Sequence, residues 1–335
     1  MPLNLMHLPK AELHVHLEGT LEPDMLLALA QIHGISLPYS SRDEVLAAYH
    51  FGSLDDFLKL YYAGMAVLRQ PADFTALALA YFTRVASQGV RHAELFFDPQ
   101  AHQGKGLAFL PLLEGIELAC REAASQLGLT SRIIPCILRH LREDSALRLV
   151  DEMLPHRDRI AAVGLDSSEQ GNPPQKFTRA FQRVRDAGLK VVAHAGEEGP
   201  PDYIRQAIDL LGAERIDHGV RILEDTELTR RVARAGIPLT VCPVCNVRLG
   251  VFPSLADHNL PRLLQAGLMV SIHSDDPAYM QAYVGDNYLA CQASLGLPFP
   301  ALAGLAERSF QASFLPDVDK ACHLLELRQF TNRTP

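Results

Sequence analysis

Short apolar runs, rich in β-branched residues and closing on ionisable ones, recur from one end of this 335-residue chain to the other. They fall at 12–17, 90–97, 132–139, 160–166, 189–195, 215–219, 237–242 and 268–273. Runs this short, bounded by Gly or Pro, read as buried parallel strands. Helical patterns lie between most of them, as at 174–188, 201–212, 224–236 and 257–266. Eight strands alternating with helices predict a (β/α)8 barrel, a fold that presents reactive side chains at the C-terminal ends of its strands. An open doubly wound sheet is the alternative, but ligand-type residues on both the first and the last strand require the sheet to close. No linker, repeat or composition shift divides the chain, so one domain is expected over 1–335.

One connection is exceptional. About 70 residues separate the first two strands, where 2–6 are usual. They read as helices at 23–33, 42–50, 54–69 and 71–88 and form a helical insertion, about 20–88, directly after the first strand. Its apolar residues Phe51, Phe57, Tyr61, Tyr62 and Met65 are mostly helix packing, with one or two aromatics expected to cover a flat substrate as a lid. Beyond the last strand, 284–327 reads as helices that close the bottom or side of the barrel.

Composition narrows the function classes. A formal charge of −8, with no cluster of Lys or Arg, argues against a nucleic-acid surface. No apolar run approaches the ~20 residues of a membrane span, and MPLNLMHLPK lacks the core of a signal peptide. Six irregularly spaced cysteines make no disulfide framework. A cytoplasmic, reduced protein is expected, with homo-oligomerisation left open.

The strand ends carry the chemistry. His14 and His16 alternate along the first strand, so both point into the barrel. A single inward His is commonly a satisfied core residue; two at this spacing before Gly19 are hard to explain as packing. His194 precedes Ala-Gly-Glu197-Glu, and Asp275-Asp276 follow the last strand. Capping the next helix accounts for one Asp of that pair, but adjacent carboxylates at a barrel mouth repel unless a cation lies between them. Three imidazoles and a carboxylate suit a single catalytic Zn²⁺ per subunit. A binuclear centre bridged by a modified lysine is disfavoured, because the third and fourth strands end in Leu-Arg-His and Gly-Leu-Asp without a lysine. Two further motifs are decoys. His16-Leu-Glu18 with Cys242-Pro-Val-Cys245 imitates the compact cytidine deaminase signature, but Val241 stands where Pro is required and the halves are over two hundred residues apart. Cys242-Pro-Val-Cys245 as a redox motif should open a helix, and it is read here as two strand-end thiols.

LPKAELHVHLEGTLEP, GLDSSE, AHAGEEGPP, RIDHGVR, PLTVCP and SDDPAY, in this order on successive strand ends, resemble the adenosine/adenine deaminase family of zinc-dependent aminohydrolases. The resemblance implies His14, His16, His194 and Asp275 as zinc ligands, with a water in the fifth position. It implies His218 as the group that orients and deprotonates that water, and Glu197 as the acid that donates to N1 of a purine attacked at C6. Asp276 would meet N7, and Gly196 would border the ring. Asp217 is read as a structural carboxylate supporting its neighbour's loop.

The choice among 6-aminopurines turns on finer features. Glu18 stands where adenosine-specific relatives carry Asp near the ribose, and its extra methylene would fill the sugar's space. Together with GLDSSE this resembles the adenine deaminase branch, with Ser168 or Glu169 as contacts to the N3/N9 edge. The free base adenine is therefore expected, giving hypoxanthine and ammonia. Met280-Gln281-Ala282-Tyr283 departs from the Phe-Gly-Gly-Tyr expected of that branch, and Cys245 departs from Ser. These leave open an enlarged pocket for N6-substituted adenines of the cytokinin type, and adenosine itself. Outside deamination, a mononuclear zinc amide or ester hydrolase is the competing enzyme class, and a binding relative that lost catalysis is the non-enzyme one.

Overall fold

The computed structural model describes residues 5–332, so the first four and last three residues of the expected 1–335 domain lie outside it. Eight parallel strands pair in chain order: β1 (Lys10–His16), β2 (Val90–Phe97), β3 (Thr130–Leu138), β4 (Ala162–Asp166), β5 (Lys190–Ala195), β6 (Arg215–His218), β7 (Leu239–Val241) and β8 (Val270–Ile272). Each predicted run lies on one of them, with ends displaced by no more than two residues. The ring closes beyond β8, where Asp275 bridges to Val15. His16 N donates to Asp275 O at 2.9 Å, and Asp275 N donates to His14 O at 3.0 Å. This is the predicted (β/α)8 barrel, and the open-sheet alternative fails at that bridge.

The strands are buried on both faces because helices cover the outside and side chains fill the lumen. The lumen holds charge as well as hydrocarbon. Arg215 Nη1 donates to Glu94 Oε2 at 2.5 Å, and Lys10 Nζ donates to Gln88 O at 2.5 Å, all in fully buried positions. Such groups are tolerated only when paired.

The insertion consists of α1 (Pro23–His33), α2 (Arg42–Ala47), α3 (Leu54–Gly64) and α4 (Pro71–Ser87). α2 and α3 start where Ser41 and Ser53 accept a hydrogen bond from the third residue of the helix, and α1 ends on Gly34 in the left-handed region. α2 and α3 stop short of the predicted 50 and 69, since the chain turns at Ala48 and at the 3₁₀ segment Met65–Val67. Past β8, helices Val284–Leu295, Phe299–Ala312 and Asp317–Asn332 follow, the last running beyond the expected 327. The helix Phe299–Ala312 packs along β1 and β8, with Ser309 Oγ accepting from Ala11 N at 2.9 Å. Among the described residues no helix is long and apolar enough to cross a membrane.

Gln281 ends the short helix Pro277–Met280 with φ +53°, a left-handed conformation that glycine adopts without strain. This is a position where the adenine pattern has Gly. Its side chain is exposed. Gln281→Gly is expected to stabilise the protein by about 0.5 kcal/mol, the difference between removing left-handed strain and adding chain entropy. Denaturant midpoints of the two proteins check it.

Candidate active site

Three strand ends turn their last residue inward through a left-handed backbone: Ser167 (φ +74°) after β4, His218 (φ +65°) at the end of β6, and Asp275 (φ +69°) past β8. They are three of the four non-glycine residues with positive φ among those described, and Gly196 (φ +74°) takes the corresponding place after β5. Strain of this kind costs on the order of 1–3 kcal/mol per residue and persists where the surroundings enforce it.

At the centre His14 Nε2 and His16 Nε2 each lie 3.1 Å from His194 Nε2, and 3.2 and 3.3 Å from Asp275 Oδ1. The remote ring nitrogens face outward. His14 Nδ1 is 3.0 Å from Thr240 O, His194 Nδ1 is 3.2 Å from Leu165 O, and His16 Nδ1 is 3.6 Å from Asp166 Oδ2. With hydrogens on those Nδ1 atoms, three nitrogen lone pairs and a carboxylate oxygen converge on one buried point. Without a cation that arrangement is repulsive. Ligands about 2.0–2.1 Å from a tetrahedral ion stand about 3.3 Å apart, so the spacing fits a divalent metal. Burial is the main cause that holds the His194 imidazole well below the ordinary histidine range, in the neutral form a ligand needs. Asp217 stands behind this cluster: its Oδ1 accepts from Thr240 Oγ1 at 2.8 Å, and its Oδ2 lies 3.6 Å from His194 Nδ1.

His218 and Glu197 flank the metal point. His218 Nε2 is 3.4 Å from Glu197 Oε2 and 3.5 Å from Asp275 Oδ2, and burial keeps the ring neutral with a pKa of about 3. Burial, with the neighbouring charges of Asp275, Glu169 and Glu198, raises the Glu197 carboxyl well above the ordinary range. Burial and Asp275 do the same for Asp276. Asn246, which the sequence reading left without a role, joins the pair, its Nδ2 lying 2.9 Å from Glu197 Oε1 and 3.2 Å from His218 Nδ1.

These groups open onto a cavity at the barrel mouth. Its polar wall includes Asp98, Asp166, Ser167, Glu197, His218 and Asp276, and its apolar wall is Leu54, Phe57, Leu58, Tyr61, Tyr62 and Leu249. Three aromatics of α3 therefore face the cavity, whereas Phe51 and Met65 do not line it. α3 is latched over the mouth by Tyr62 OH donating to Ser167 Oγ at 3.0 Å and by Ser168 Oγ donating to Asp55 Oδ1 at 3.0 Å.

Several expected substrate contacts are otherwise engaged. Glu169 reaches the wall, but its oxygens accept four backbone N–H groups, from Gly196 (2.6 Å), Glu197 (3.1 Å), Glu198 (2.9 Å) and Gly199 (2.7 Å). It organises the loop that aims Glu197, and it leaves the Gly196 N–H unavailable to a ligand. Ser168 faces the lid; Ser167 faces the cavity. Glu18 is not among the cavity-lining residues either. Its Oε1 accepts from Asp98 N at 3.0 Å and from His102 Nε2 at 2.9 Å, so it positions the Asp98 segment. Neither Met280 nor Cys245 lines the cavity, although the Cys245 thiol lies within 4.8 Å of carboxylate oxygens of Glu197 and Asp275. Cys242 precedes the helix Pro243–Arg248, so that motif does open a helix; burial pushes both thiols far up, against a redox role.

A barrel whose strand ends gather three imidazoles and a carboxylate around one point is a metal-dependent hydrolase. The family model described as adenosine deaminase matches residues 9–328. The chain is 50% identical to an adenine deaminase of Geotalea uraniireducens, over 97% of this chain and 92% of that protein. It superposes on the crystal structure of an adenine deaminase from Arthrobacter aurescens with a TM-score of 0.95 at 47% identity, covering 97% of this chain and 99% of the other. An amidohydrolase from Burkholderia ambifaria, with bound Zn, matches at a TM-score of 0.90 and 29% identity, covering 98% and 93%. The chain belongs to the adenosine deaminase family.

His16→Ala removes one of four convergent donors and leaves the Asp275 charge poorly compensated. Its metal content after dialysis is expected to fall well below one per chain, and a full equivalent would remove His16 from the ligand set.

Proposed function

We propose that the protein hydrolyses adenine to hypoxanthine and ammonia, using one zinc ion held by His14, His16, His194 and Asp275. The observation that carries the reading is the placement of two buried carboxyl groups, Glu197 and Asp276, on the cavity wall beside the cluster of imidazoles, where burial favours their protonated forms. Adenine has one ring acceptor on either side of C6. Glu197 donates to N1 and Asp276 to N7, which fixes the ring with C6 toward the metal. When bound, the zinc supplies Lewis-acid activation of a water molecule.

His218, held neutral, orients that water and takes its proton. Transfer from Glu197 to N1 keeps negative charge from building on the ring as C6 becomes tetrahedral. The carbon–nitrogen bond to the amino group then breaks with proton return to the departing ammonia. Asn246 fixes the Glu197 carboxyl and the His218 ring relative to one another; for Nε2 to take the water's proton Nδ1 carries the hydrogen, so the Asn246 amide presents its oxygen to Nδ1. α3 covers the ring with Phe57, Tyr61 and Tyr62 and keeps bulk water out. Glu197 has no corresponding task in ester hydrolysis, which favours the deaminase over the competing hydrolase. The zinc-bearing relative and the three-nitrogen, one-oxygen donor set support zinc as the ion.

Glu197→Gln keeps metal and ring binding and is expected to lose about 10³-fold or more in kcat, since an amide delivers no proton. Ammonia release from adenine measures it, and an unchanged kcat removes Glu197 from the reaction. Gly19 tests the place of Asp276. A Cβ there would stand 2.1 Å from Asp276 Oδ1 and 2.7 Å from its Cα. Gly19→Ala must displace Asp276 and is expected to cut kcat/KM for adenine by about 100-fold with metal content unchanged. Adenine compared with N6-isopentenyladenine checks the substrate: the free base is expected to be the better by orders of magnitude, and the reverse order restores the enlarged-pocket alternative.

A further inference from the structure

Asp98 follows β2 directly, is 2% exposed, and lines the cavity that also holds Asp166, Asp276 and the metal cluster. Its backbone N–H is fixed on Glu18 Oε1, so the residue is held from below. Burial, with the carboxyl groups of Asp166 and Glu18 beside it, raises its carboxyl well above the ordinary range. Its Oδ1 is buried and has no hydrogen-bond partner among the described residues, and a buried acceptor without a donor calls for a ligand.

The missing donor is identified by what the rest of the wall uses up. With N1 on Glu197 and N7 on Asp276, the purine edge left over is N3/N9. Of the groups expected there, Glu169 and the Gly196 N–H are spent on each other, Ser168 is spent on the lid, and Glu18, whose Oε1 holds Asp98 N and His102, does not line the cavity. In free adenine with a lone pair at N7, the ring hydrogen is on N9. A nucleoside has a carbon there and nothing to donate.

We propose that Asp98 is the specificity-determining residue for the unsubstituted base, its unpartnered Oδ1 accepting the N9–H of adenine. This rests on the deaminase reading and extends it: selection against N9-substituted purines comes from an acceptor that only the free base satisfies, added to the space the side chain fills. A site built around a hydrogen bond rejects an analogue lacking it far more strongly than an apolar pocket rejects extra bulk. A second cation is the competing occupant, since ligand atoms of Asp98, Asp166 and His16 lie within 4.8 Å of one another. His16 argues against it. Its Nε2 lone pair belongs to the metal cluster, so its Nδ1 carries hydrogen toward Asp166 and has no lone pair for another ion.

The test compares adenine with 9-methyladenine on the zinc-loaded enzyme and on Asp98→Ala and Asp98→Asn, with zinc counted in each. The unsubstituted enzyme is expected to prefer adenine by about 10³-fold or more in kcat/KM. Asp98→Ala is expected to lose about 100-fold on adenine while 9-methyladenine stays level or improves, and the isosteric Asp98→Asn, which keeps an acceptor oxygen, to lose about tenfold. Calorimetric binding of hypoxanthine and 9-methylhypoxanthine is expected to show the same collapse of preference in Asp98→Ala, independent of turnover. Parallel losses on both purines, an unchanged preference, or a second zinc equivalent that disappears with Asp98 would each overturn the assignment. No ammonia from adenine with the unsubstituted enzyme would instead overturn the deaminase reading, so the two failures are distinct.

Discussion

The backbone bridge between Val15 and Asp275 closes the barrel and, in doing so, builds the metal site. His16 N and His14 O both hydrogen-bond to Asp275, so the residues that complete the sheet are the residues whose side chains meet. Closure sets the Nε2–Oδ1 separations of 3.2 and 3.3 Å without any flexible loop in between. The left-handed backbone at Asp275 is the local cost, because an extended residue there would send its carboxylate elsewhere. Fold stability and metal affinity are therefore coupled through the same few atoms.

Around that point the protein places carboxyl groups with graded tasks, and the grading comes from surroundings rather than residue type. Against its burial, the facing rings of His14, His218 and His16 hold Asp275 well below the ordinary range, as suits the ligand role proposed for it. Glu197 and Asp276 are buried beside its negative charge, which raises both carboxyl groups well above the ordinary range. Glu169, its oxygens accepting from four backbone N–H groups, shapes a loop. Chemistry at two sides of a heterocycle needs this separation of roles.

Much of this was legible in the chain. Alternation of His14 and His16, the Asp275-Asp276 pair and the strand spacing give the barrel and the residues that converge at its mouth, because strand periodicity fixes facing. The long insertion was legible as helices. Its partition was not: whether Phe57 or Phe51 meets the cavity depends on how α3 docks, and docking is settled by contacts such as Tyr62 with Ser167. Asn246 followed a motif already marked as unusual, yet nothing in its neighbours announced a bridge between Glu197 and His218.

The same division explains Glu18 and Glu169. Both were correctly drawn to the strand ends, and both turn their oxygens onto protein rather than into the cavity, since unpaired backbone N–H groups nearby compete for them. Asp98 enters instead, from a strand with no distinctive motif. The sequence by itself determined which residues stand at the C-terminal mouth, for that follows from local periodicity and chain order. Tertiary structure alone decided which of those carboxylates remains free for a ligand, because that depends on donors contributed by loops far away in the chain.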